Sequence, residues 1–427
     1  MSFASFILAG IIMMFATGGT PPPMAQAQSF TIHTRLTNTS GFIHKLRHKL
    51  TRPLHLDQGI VFPPMPSGLV YVSAHFGTPP LTINLALDTL FPFTWVQTVG
   101  CRRYCFNLSY PFSNFDPRKS TTFQLLPPNN TTICSPPIAH PSRSGSLCVY
   151  DAGYSGGIFG IDEFQLLSPF PSSSSTNRIA FGCDLQSQVD FNGGWDFNPI
   201  GGMIGLGKGH PSSIVSQLGS DRYSYCLPGF AQSQSGQPTL NFGSDAIIDA
   251  SATNVQTTPL ISSTLSSAPE KFYNYLNMTA VTVNGDVVYM MPENSSANLV
   301  LLDSGSPDSW LIEDAIFSLQ DSIVKYFAES YGWKHPKIES ESARGYPCCY
   351  DLPSNLASVV FPKVAIQFLG GASLELHNAF EIFAAEHEFC MVIREGAPNV
   401  IGVYQQLGYR FLFDQAQSEL SFAPNMC

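Results

Sequence analysis

Two short segments, one in each half of the chain, place an aspartate beside a hydroxyl residue. They are Asp88-Thr89 and Asp303-Ser304. Two carboxylates that face each other across a water cannot both ionise easily, so one pKa rises and the pair works in acid. One carboxylate can then deprotonate the water while the other protonates the scissile carbonyl. The two segments therefore predict a pair of aspartates that hydrolyses peptide bonds at acidic pH.

The surroundings of these segments form a weak internal repeat. Met203-Ile204-Gly205 follows the first aspartate, and Val400-Ile401-Gly402 follows the second. A duplicated chain can bring its two aspartate loops face to face, and hydroxyl–backbone bonds can then lock the loops together. Glycine beside a loop allows the close approach of two backbones.

Length and composition indicate two mostly β domains. The chain has 427 residues, 44% of them hydrophobic and 12% charged, with 34 Gly and 33 Pro. This composition excludes disorder and coiled coil, and the dense turn residues favour many short strands. Helical patterns are few, over Pro211–Leu218 and Asp314–Tyr331. A polar stretch over residues 244–258 predicts a boundary between lobes at 67–245 and 246–427.

The first residues are typical of an export signal. Phe6 to Phe15 is an apolar run too short to span a bilayer, and Ala25-Gln26-Ala27 is a small-x-small cleavage pattern. We therefore predict a signal peptide over residues 1–27. No later stretch is apolar enough for a membrane span.

Charge is distributed unevenly along the chain. Five basic residues between Arg35 and Arg52 precede the first acid, Asp57, and the remainder holds 16 basic and 31 acidic residues, a net charge of about −15. An acidic body argues against nucleic-acid binding. The basic leader predicts a pro-segment over residues 28–66, held electrostatically until the pH falls; a solvated basic tail is the alternative.

Cysteines and glycosylation sequons agree with export. All ten Cys follow the signal, an even number compatible with disulfides. Six N-x-[ST] sequons lie at Asn38, Asn107, Asn129, Asn130, Asn277 and Asn294. No pair of C-x₂-C units and no convincing His spacing is present, so we predict neither a metal nor a cofactor.

Several ordered blocks of sequence carry a family resemblance. The segment Asp88 to Gln97, DTLFPFTWVQ, resembles the DTGSDLTWVQ segment of plant nepenthesin-like proteases, which are pepsin-like aspartic proteases. Further blocks follow that family's order over roughly residues 67–427: IAFGC (179–183), GMIGLG (202–207), YSYC (223–226), LDSGS (302–306), VIGVYQQ (400–406) and LSFAP (420–424).

The resemblance implies an all-β, bilobal, pepsin-like aspartic protease fold with Asp88 and Asp303 as the catalytic dyad in a cleft. Thr89 and Ser304 would interlock the two loops. Residues that would support the active site are Gly305, Ser306, Trp95, Gly205 and Gly402. A substrate-covering flap would contribute Tyr154, with Tyr150 as the alternative.

The resemblance also implies a monomeric zymogen that acts on polypeptide substrates in the apoplast or the vacuole. It implies a disulfide from Cys183 to Cys427, and a second one from either Cys348 or Cys349 to Cys390.

The chain departs from the family in its first loop. Leu90 and Phe91 replace Gly and Ser, the flap is shortened at Ser155-Gly156-Gly157, and Thr98 replaces a usual Cys. We therefore predict an acid endopeptidase of reduced activity. The alternative is a catalytically inactive binding or inhibitor protein that keeps the fold, as certain plant xylanase inhibitors do.

Overall fold

A computed structural model describes most of the chain after the leader. The described residues are 59–62, 68–167, 176–189, 191, 197–229, 239–262, 272–293, 295–339, 341–342 and 345–424. The predicted signal peptide, most of the pro-segment, Asn38, Asn294 and Cys427 lie outside these residues. No helix in the described ranges is long and apolar enough to cross a membrane.

The N-terminal lobe is a curved sheet of short strands. Its strands are β1 (Gly59–Phe62), β2 (Tyr71–Phe76), β3 (Leu81–Asp88), β4 (Trp95–Gln97), β5 (Gln124–Leu125), β6 (Ala139–Pro141), β7 (Cys148–Asp151), β8 (Ser155–Leu166), β9 (Asn177–Ser187), β10 (Ile200–Gly205), β11 (Arg222–Leu227) and β12 (Thr239–Phe242). The order β1-β2-β3-β10-β4-β9-β8-β7-β6 curls back on itself because β2 also pairs with β8. A single helical turn, α1 (Ile214–Gln217), lies inside the predicted helix 211–218.

The C-terminal lobe repeats this plan with a longer helix. Its strands are β13 (Gln256–Pro259), β14 (Tyr275–Val283), β15 (Asp286–Met290), β16 (Leu299–Leu302), β17 (Ser309–Leu311), β18 (Cys349–Asp351), β19 (Val364–Phe368), β20 (Ser373–Glu375), β21 (Phe380–Phe383), β22 (Glu388–Met391), β23 (Ile393–Glu395), β24 (Asn399–Ile401), β25 (Tyr409–Asp414) and β26 (Glu419–Pro424). Helix α2 (Glu313–Tyr331) confirms the second predicted helix, and α3 (Val403–Gln406) is one turn.

Helix α2 forms because its sequence meets the rules for a surface helix. Acidic Glu313 and Asp314 in the first turn complement the positive N-terminal end of the helix dipole. Ile316, Leu319 and Ile323 recur at helical spacing and are buried. Gly332 ends the helix in the left-handed region at φ 75°.

One antiparallel sheet joins the two lobes. Its order is β13-β26-β25-β11-β12-β1, and β11 pairs with β25 from Arg222 opposite Asp414 to Leu227 opposite Tyr409. Strand β1 lies within the predicted pro-segment, and its backbone pairs with β2 and β12. The segment boundary at residue 66 stays a prediction, but cleavage after Phe62 would remove this strand from the sheet.

Each aspartate loop crosses a glycine-bearing strand. In the first lobe, β10 runs parallel to β3 and antiparallel to β4, so the loop 88–94 between β3 and β4 passes over Gly205. In the second lobe, β24 is parallel to β16 and antiparallel to β17, and the loop 303–308 passes over Gly402. The predicted duplication of a mostly β, two-lobed fold is confirmed.

The disulfide framework corrects one prediction. Cys183 is a buried free thiol, so the expected bond from Cys183 to Cys427 is wrong. Its side chain lies in the hydrophobic core of the N-terminal lobe against the backbone of Gly160, where it behaves as a small apolar residue. Cys226 is the disulfide-bonded residue near the interlobe sheet instead.

Three disulfides have both partners among the described residues. Cys349 bonds to Cys390, as the resemblance implied for one member of the adjacent pair, and Cys348 is a buried free thiol. The other two bonds join Cys101 to Cys105 and Cys134 to Cys148.

The described sequons differ in exposure. Asn107 and Asn129 are exposed, while Asn277 is half-buried in β14. Asn130 accepts a hydrogen bond from the backbone N–H of Ile133 through its side-chain oxygen. Asn107 and Asn129 are therefore the more accessible candidates for glycosylation.

Candidate active site

Four reciprocal hydrogen bonds lock the two aspartate loops together. The Thr89 hydroxyl donates to the carbonyl of Leu302 at 2.6 Å and accepts from the backbone N–H of Ser304 at 3.1 Å. The Ser304 hydroxyl donates to the carbonyl of Leu87 at 2.8 Å and accepts from the backbone N–H of Thr89 at 3.1 Å. Both hydroxyl residues are fully buried. The structure thus places Thr89 and Ser304 in the interlocking positions that the sequence predicted.

The carboxyls of Asp88 and Asp303 meet between these loops. One oxygen of Asp88 accepts the backbone N–H groups of Leu90 and Phe91, each at 2.8 Å. The matching oxygen of Asp303 accepts the N–H of Gly305 at 2.8 Å. The other Asp88 oxygen lies so near Gly305 that a Cβ there would be 2.6 Å from it. Only glycine fits at position 305 without displacing that carboxyl.

Burial and mutual repulsion set the protonation of this pair. Burial raises the pKa of the Asp88 carboxyl, although its two backbone hydrogen bonds oppose the rise. Burial, followed by the neighbouring Asp88 charge, raises the pKa of the Asp303 carboxyl well above its ordinary value. The pair therefore favours a state in which the two carboxyls share one proton. This is the protonation pattern that acid hydrolysis needs.

Glycines under the loops explain their close packing. A Cβ at Gly205 would collide with the carbonyl oxygens of Phe91 and Phe93, and one at Gly402 would collide with the carbonyl of Asp308. Both predicted support glycines thus lie where the loop backbone crosses the central strand. Trp95 is buried in β4 opposite Met203 of β10 and stacks on Phe191 with ring centroids 5.7 Å apart.

Ser306 supports the second loop through its backbone. Its N–H hydrogen-bonds Asp303 and lowers the pKa of that carboxyl. Its hydroxyl donates to the carbonyl of Asp308 at 3.0 Å and so points away from the dyad.

The two unusual residues of the first loop pack on different lobes. Leu90 joins an apolar cluster of the C-terminal lobe with Tyr273, Tyr275, Leu301 and Val400, and is 5% exposed. Leu90 therefore replaces glycine with an apolar contact that crosses between the lobes.

Phe91 packs within the N-terminal lobe. It is 5% exposed, and its ring centroid lies 4.6 Å from that of Phe93 and 5.2 Å from that of Tyr154. Phe91, which stands where the family has serine, is thus part of an aromatic cluster with Phe93 and Tyr154.

The flap hairpin, defined here as β7, β8 and the turn Ala152–Tyr154, brings Tyr154 near the first aspartate. Tyr154 is half-buried at the end of this turn, and its hydroxyl lies 3.8 Å from the sulfur of Met203. Burial, followed by the Asp88 charge, raises the pKa of the Tyr154 hydroxyl well above its ordinary value. Tyr150 instead packs in the lobe interior against Phe93, at 4.9 Å between centroids. Both tyrosines contact the loop 88–94, but only Tyr154 lies close enough to Asp88 and Asp303 for their charges to raise the pKa of its hydroxyl.

Sequence reasoning missed a buried carboxyl beside the turn of the flap hairpin. Asp184 accepts the Ser155 hydroxyl at 2.7 Å and the N–H of Gly156 at 3.2 Å, and the Tyr150 hydroxyl lies 3.2 Å from that of Ser155. Burial raises the pKa of Asp184 to about 7, partly offset by these bonds. An isolated acid in a strand gives no sequence signal for such a role.

A second missed group lies behind the Asp303 loop. Asp308 accepts the Tyr346 hydroxyl at 3.2 Å and pairs with Arg394 at 3.4 Å, whose guanidinium stacks over the Tyr346 ring at 4.0 Å. The corresponding position of the first loop is Phe93, so the two lobes support equivalent loops with different chemistry.

One set of metal-type ligands occurs among the described residues: Cys349, Glu388 and Cys390. Their two sulfurs already form a disulfide, so this set does not offer thiolate ligands.

Comparisons with known proteins place the chain in a family. Residues 71–244 match the family described as xylanase inhibitor N-terminal, and residues 273–424 match its partner, xylanase inhibitor C-terminal. Both are pepsin-like aspartic protease domains.

Individual relatives agree over most of the chain. The aspartyl protease AED1 of Arabidopsis thaliana is 26% identical, with 94% of this chain and 80% of that protein covered. Aspartic proteinase nepenthesin-2 of Nepenthes gracilis is also 26% identical, with 84% and 78% covered. The crystal structure of basic 7S globulin from soybean matches with a TM-score of 0.63 at 16% identity, covering 87% of this chain and 97% of the globulin. At 16% identity, this similarity shows that the two proteins share a fold.

Proposed function

The chain belongs to the pepsin-like aspartic protease family, and on that premise we propose that it is an acid endopeptidase that acts through Asp88 and Asp303. The observation that carries this proposal is the reciprocal interlock of Thr89 and Ser304, which holds two buried carboxyls together despite the altered first loop. Precise positioning of the reacting groups supplies much of an enzyme's rate.

The proposed reaction follows from the protonation of the pair. Ionised Asp88 takes a proton from a water as its oxygen attacks the peptide carbonyl carbon, while protonated Asp303 hydrogen-bonds and protonates the carbonyl oxygen. The tetrahedral intermediate then collapses: the C–N bond breaks, the amine leaves with the proton held by Asp88, and Asp303 takes back a proton from a hydroxyl of the intermediate as the new carbonyl forms. Activity should fall when the pH rises enough to remove the shared proton, and also when it falls enough to protonate Asp88.

We also propose that the protein is exported and activated from a zymogen. The apolar leader, the basic segment after it and three disulfides among the described residues support this route. Polypeptides are the proposed substrates, and the apoplast or vacuole is the proposed location.

The deciding experiment is acid cleavage of a reduced, carboxymethylated protein substrate by wild type, Asp88→Asn and Asp303→Asn. Each variant should lose activity by ~1000-fold and keep its fold by circular dichroism. Asp286→Asn is the matched control, because Asp286 is exposed on β15 of the C-terminal lobe, away from the dyad; it should retain wild-type activity. Wild-type cleavage that survives Asp88→Asn would overturn the mechanism.

A binding protein without catalysis is the second candidate, favoured by one observation. Phe91 holds the Tyr154 ring beside Asp88, where a substrate would have to pass. A peptide that carries a statine, a mimic of the tetrahedral intermediate, separates the two candidates. An enzyme should bind it more tightly than the parent peptide; a wild type that neither cleaves substrate nor binds the statine peptide favours the second candidate.

A further inference from the structure

A cavity of about 340 Å³ lies outside the catalytic pair, beside the turn of the flap hairpin. Its lining includes Arg102, Arg103, Asp151, Gly156 and Gln186. The hairpin forms one wall, and the loop that follows β4 forms the other. This volume accommodates a side chain of a bound peptide, and the cavity borders the element that carries Tyr154.

The loop that supplies the two arginines is fixed at both ends. A disulfide joins Cys101 to Cys105 and closes a five-residue ring around them. The N–H of Arg102 donates to the carbonyl of Leu185 at 2.8 Å, and the carbonyl of Arg103 accepts from the N–H of Ser187 at 3.1 Å. The backbone is therefore held against β9 while both arginine side chains stay exposed.

These arginines carry charge that the described part of the chain leaves unpaired. Neither guanidinium forms an ion pair with a described acidic residue. The acid that shares their cavity, Asp151, uses one oxygen to accept the N–H of Gly153 at 3.0 Å. Two adjacent positive charges thus stand on a body whose net charge is about −15 over residues 57–427.

The chemistry of guanidinium groups identifies the ligand. Arginine donates two parallel N–H groups that match a carboxylate, and these charge-assisted bonds are stronger than neutral ones. The chain's own leader is basic between Arg35 and Arg52, so its charge does not complement this cavity. An acidic segment of another polypeptide does.

We propose that the cavity between Arg102 and Arg103 and the flap hairpin is an exosite that binds an Asp or Glu side chain of a polypeptide substrate. That the bound polypeptide is a substrate rests on the proposed protease function, whereas the binding of an acidic peptide is independent of it. The exosite selects substrates by an acidic residue away from the cleaved bond and anchors them beside the flap.

Binding to an inactive variant tests the exosite separately from catalysis. A fluorescent peptide Gly-Glu-Asp-Glu-Gly and its neutral match Gly-Gln-Asn-Gln-Gly are titrated into Asp303→Asn at about pH 6, where free carboxyls are ionised. We expect the acidic peptide to bind about tenfold more tightly, the change that one charge-assisted hydrogen bond gives. Salt should weaken this preference.

Two double variants, each of which removes two positive charges, test whether the preference for the acidic peptide depends on these two arginines. Arg102→Gln with Arg103→Gln should abolish the preference for the acidic peptide. Lys119→Gln with Arg143→Gln removes two exposed positive charges elsewhere on the lobe and should retain it. Equal losses in both variants, or no preference in the parent, would overturn the exosite.

Cleavage then connects the site to the enzyme. Wild type should cleave a substrate with an acidic flank faster than its amide match, and the arginine double variant should cleave both alike. A wild type that binds the acidic peptide as expected but cleaves nothing overturns the proposed protease function and leaves the acidic-peptide site standing.

Discussion

Restoring the family residues in the first loop should destabilise the protein before it improves catalysis. The relevant changes are Leu90→Gly and Phe91→Ser. Both side chains are 5% exposed, and they fill apolar clusters on opposite sides of the interlobe boundary. Each substitution therefore opens a cavity that its cluster cannot fully close.

The cost follows from the size of the buried groups. Removing a buried leucine or phenylalanine side chain costs ~3–5 kcal/mol of unfolding free energy. Because Leu90 and Phe91 are neighbours on one loop, the two losses can couple, so their sum of ~6–10 kcal/mol is the upper limit for the double variant. A typical domain has only ~5–15 kcal/mol in total. The double variant should thus be largely unfolded at moderate temperature, which makes the single variants the informative ones.

Urea unfolding, followed by tryptophan fluorescence, measures the effect. Leu125→Gly is the matched control, because Leu125 is 45% exposed on β5; it should lose no more than ~1 kcal/mol. Cleavage per folded molecule should rise in Phe91→Ser, by up to ~100-fold if Tyr154 gains its freedom to close on substrate. A Leu90→Gly variant whose unfolding free energy is within about 1 kcal/mol of the wild-type value would refute the interlobe role of Leu90. A Phe91→Ser variant that is folded but cleaves more slowly than wild type would refute the idea that Phe91 hinders the movement of Tyr154.

Three further predictions concern the interlock, the Asp184 carboxyl and the thiols. Thr89→Val should lower the free energy of unfolding by ~2–4 kcal/mol, because it leaves the buried N–H of Ser304 and the buried carbonyl of Leu302 without a partner. The control Thr257→Val, at an exposed position, should lower it by ~0.5 kcal/mol or less. Asp184 binds its proton more tightly in the folded protein, so the free energy of unfolding of the wild type should fall by up to ~1.4 kcal/mol per pH unit between about pH 4 and pH 7 and then level off. Asp184→Asn should flatten that slope in urea unfolding experiments at each pH, and a slope unchanged from wild type would contradict the raised pKa of Asp184. Alkylation in denaturant without reductant, followed by peptide mapping, should label Cys183 and Cys348 but not Cys349 or Cys390; a disulfide peptide that contains Cys183 would contradict the framework.

The parts of the fold that repeat along the chain could be predicted from sequence. Asp-hydroxyl loops and their partner glycines recur in both halves, and the close approach of two backbones explains each glycine. The interlock of Thr89 with Ser304 was therefore predictable. The helical pattern of residues 314–331 and its acidic first turn predicted α2, and the family resemblance implied Tyr154 for the flap hairpin.

Positions decided by long-range packing could not be predicted in the same way. Nothing in the residues around Leu90 shows that its side chain reaches Leu301 and Val400 of the other lobe. Cys183 was assigned a disulfide by resemblance, whereas its actual surroundings are set by Gly160 and core residues distant in sequence. The pKa of Asp184 likewise depends on burial, which strand alternation alone does not reveal.

The interlobe sheet has a consequence for biosynthesis. Strand β11 (Arg222–Leu227) of the N-terminal lobe is synthesised well before the strand beside it, β25 (Tyr409–Asp414). Until β25 has been made, the N-terminal lobe keeps one strand edge uncovered, in a state prone to pairing with other chains. Nascent chains stalled before residue 409 should consequently recruit chaperones, and chains that extend past β25 should lose that dependence.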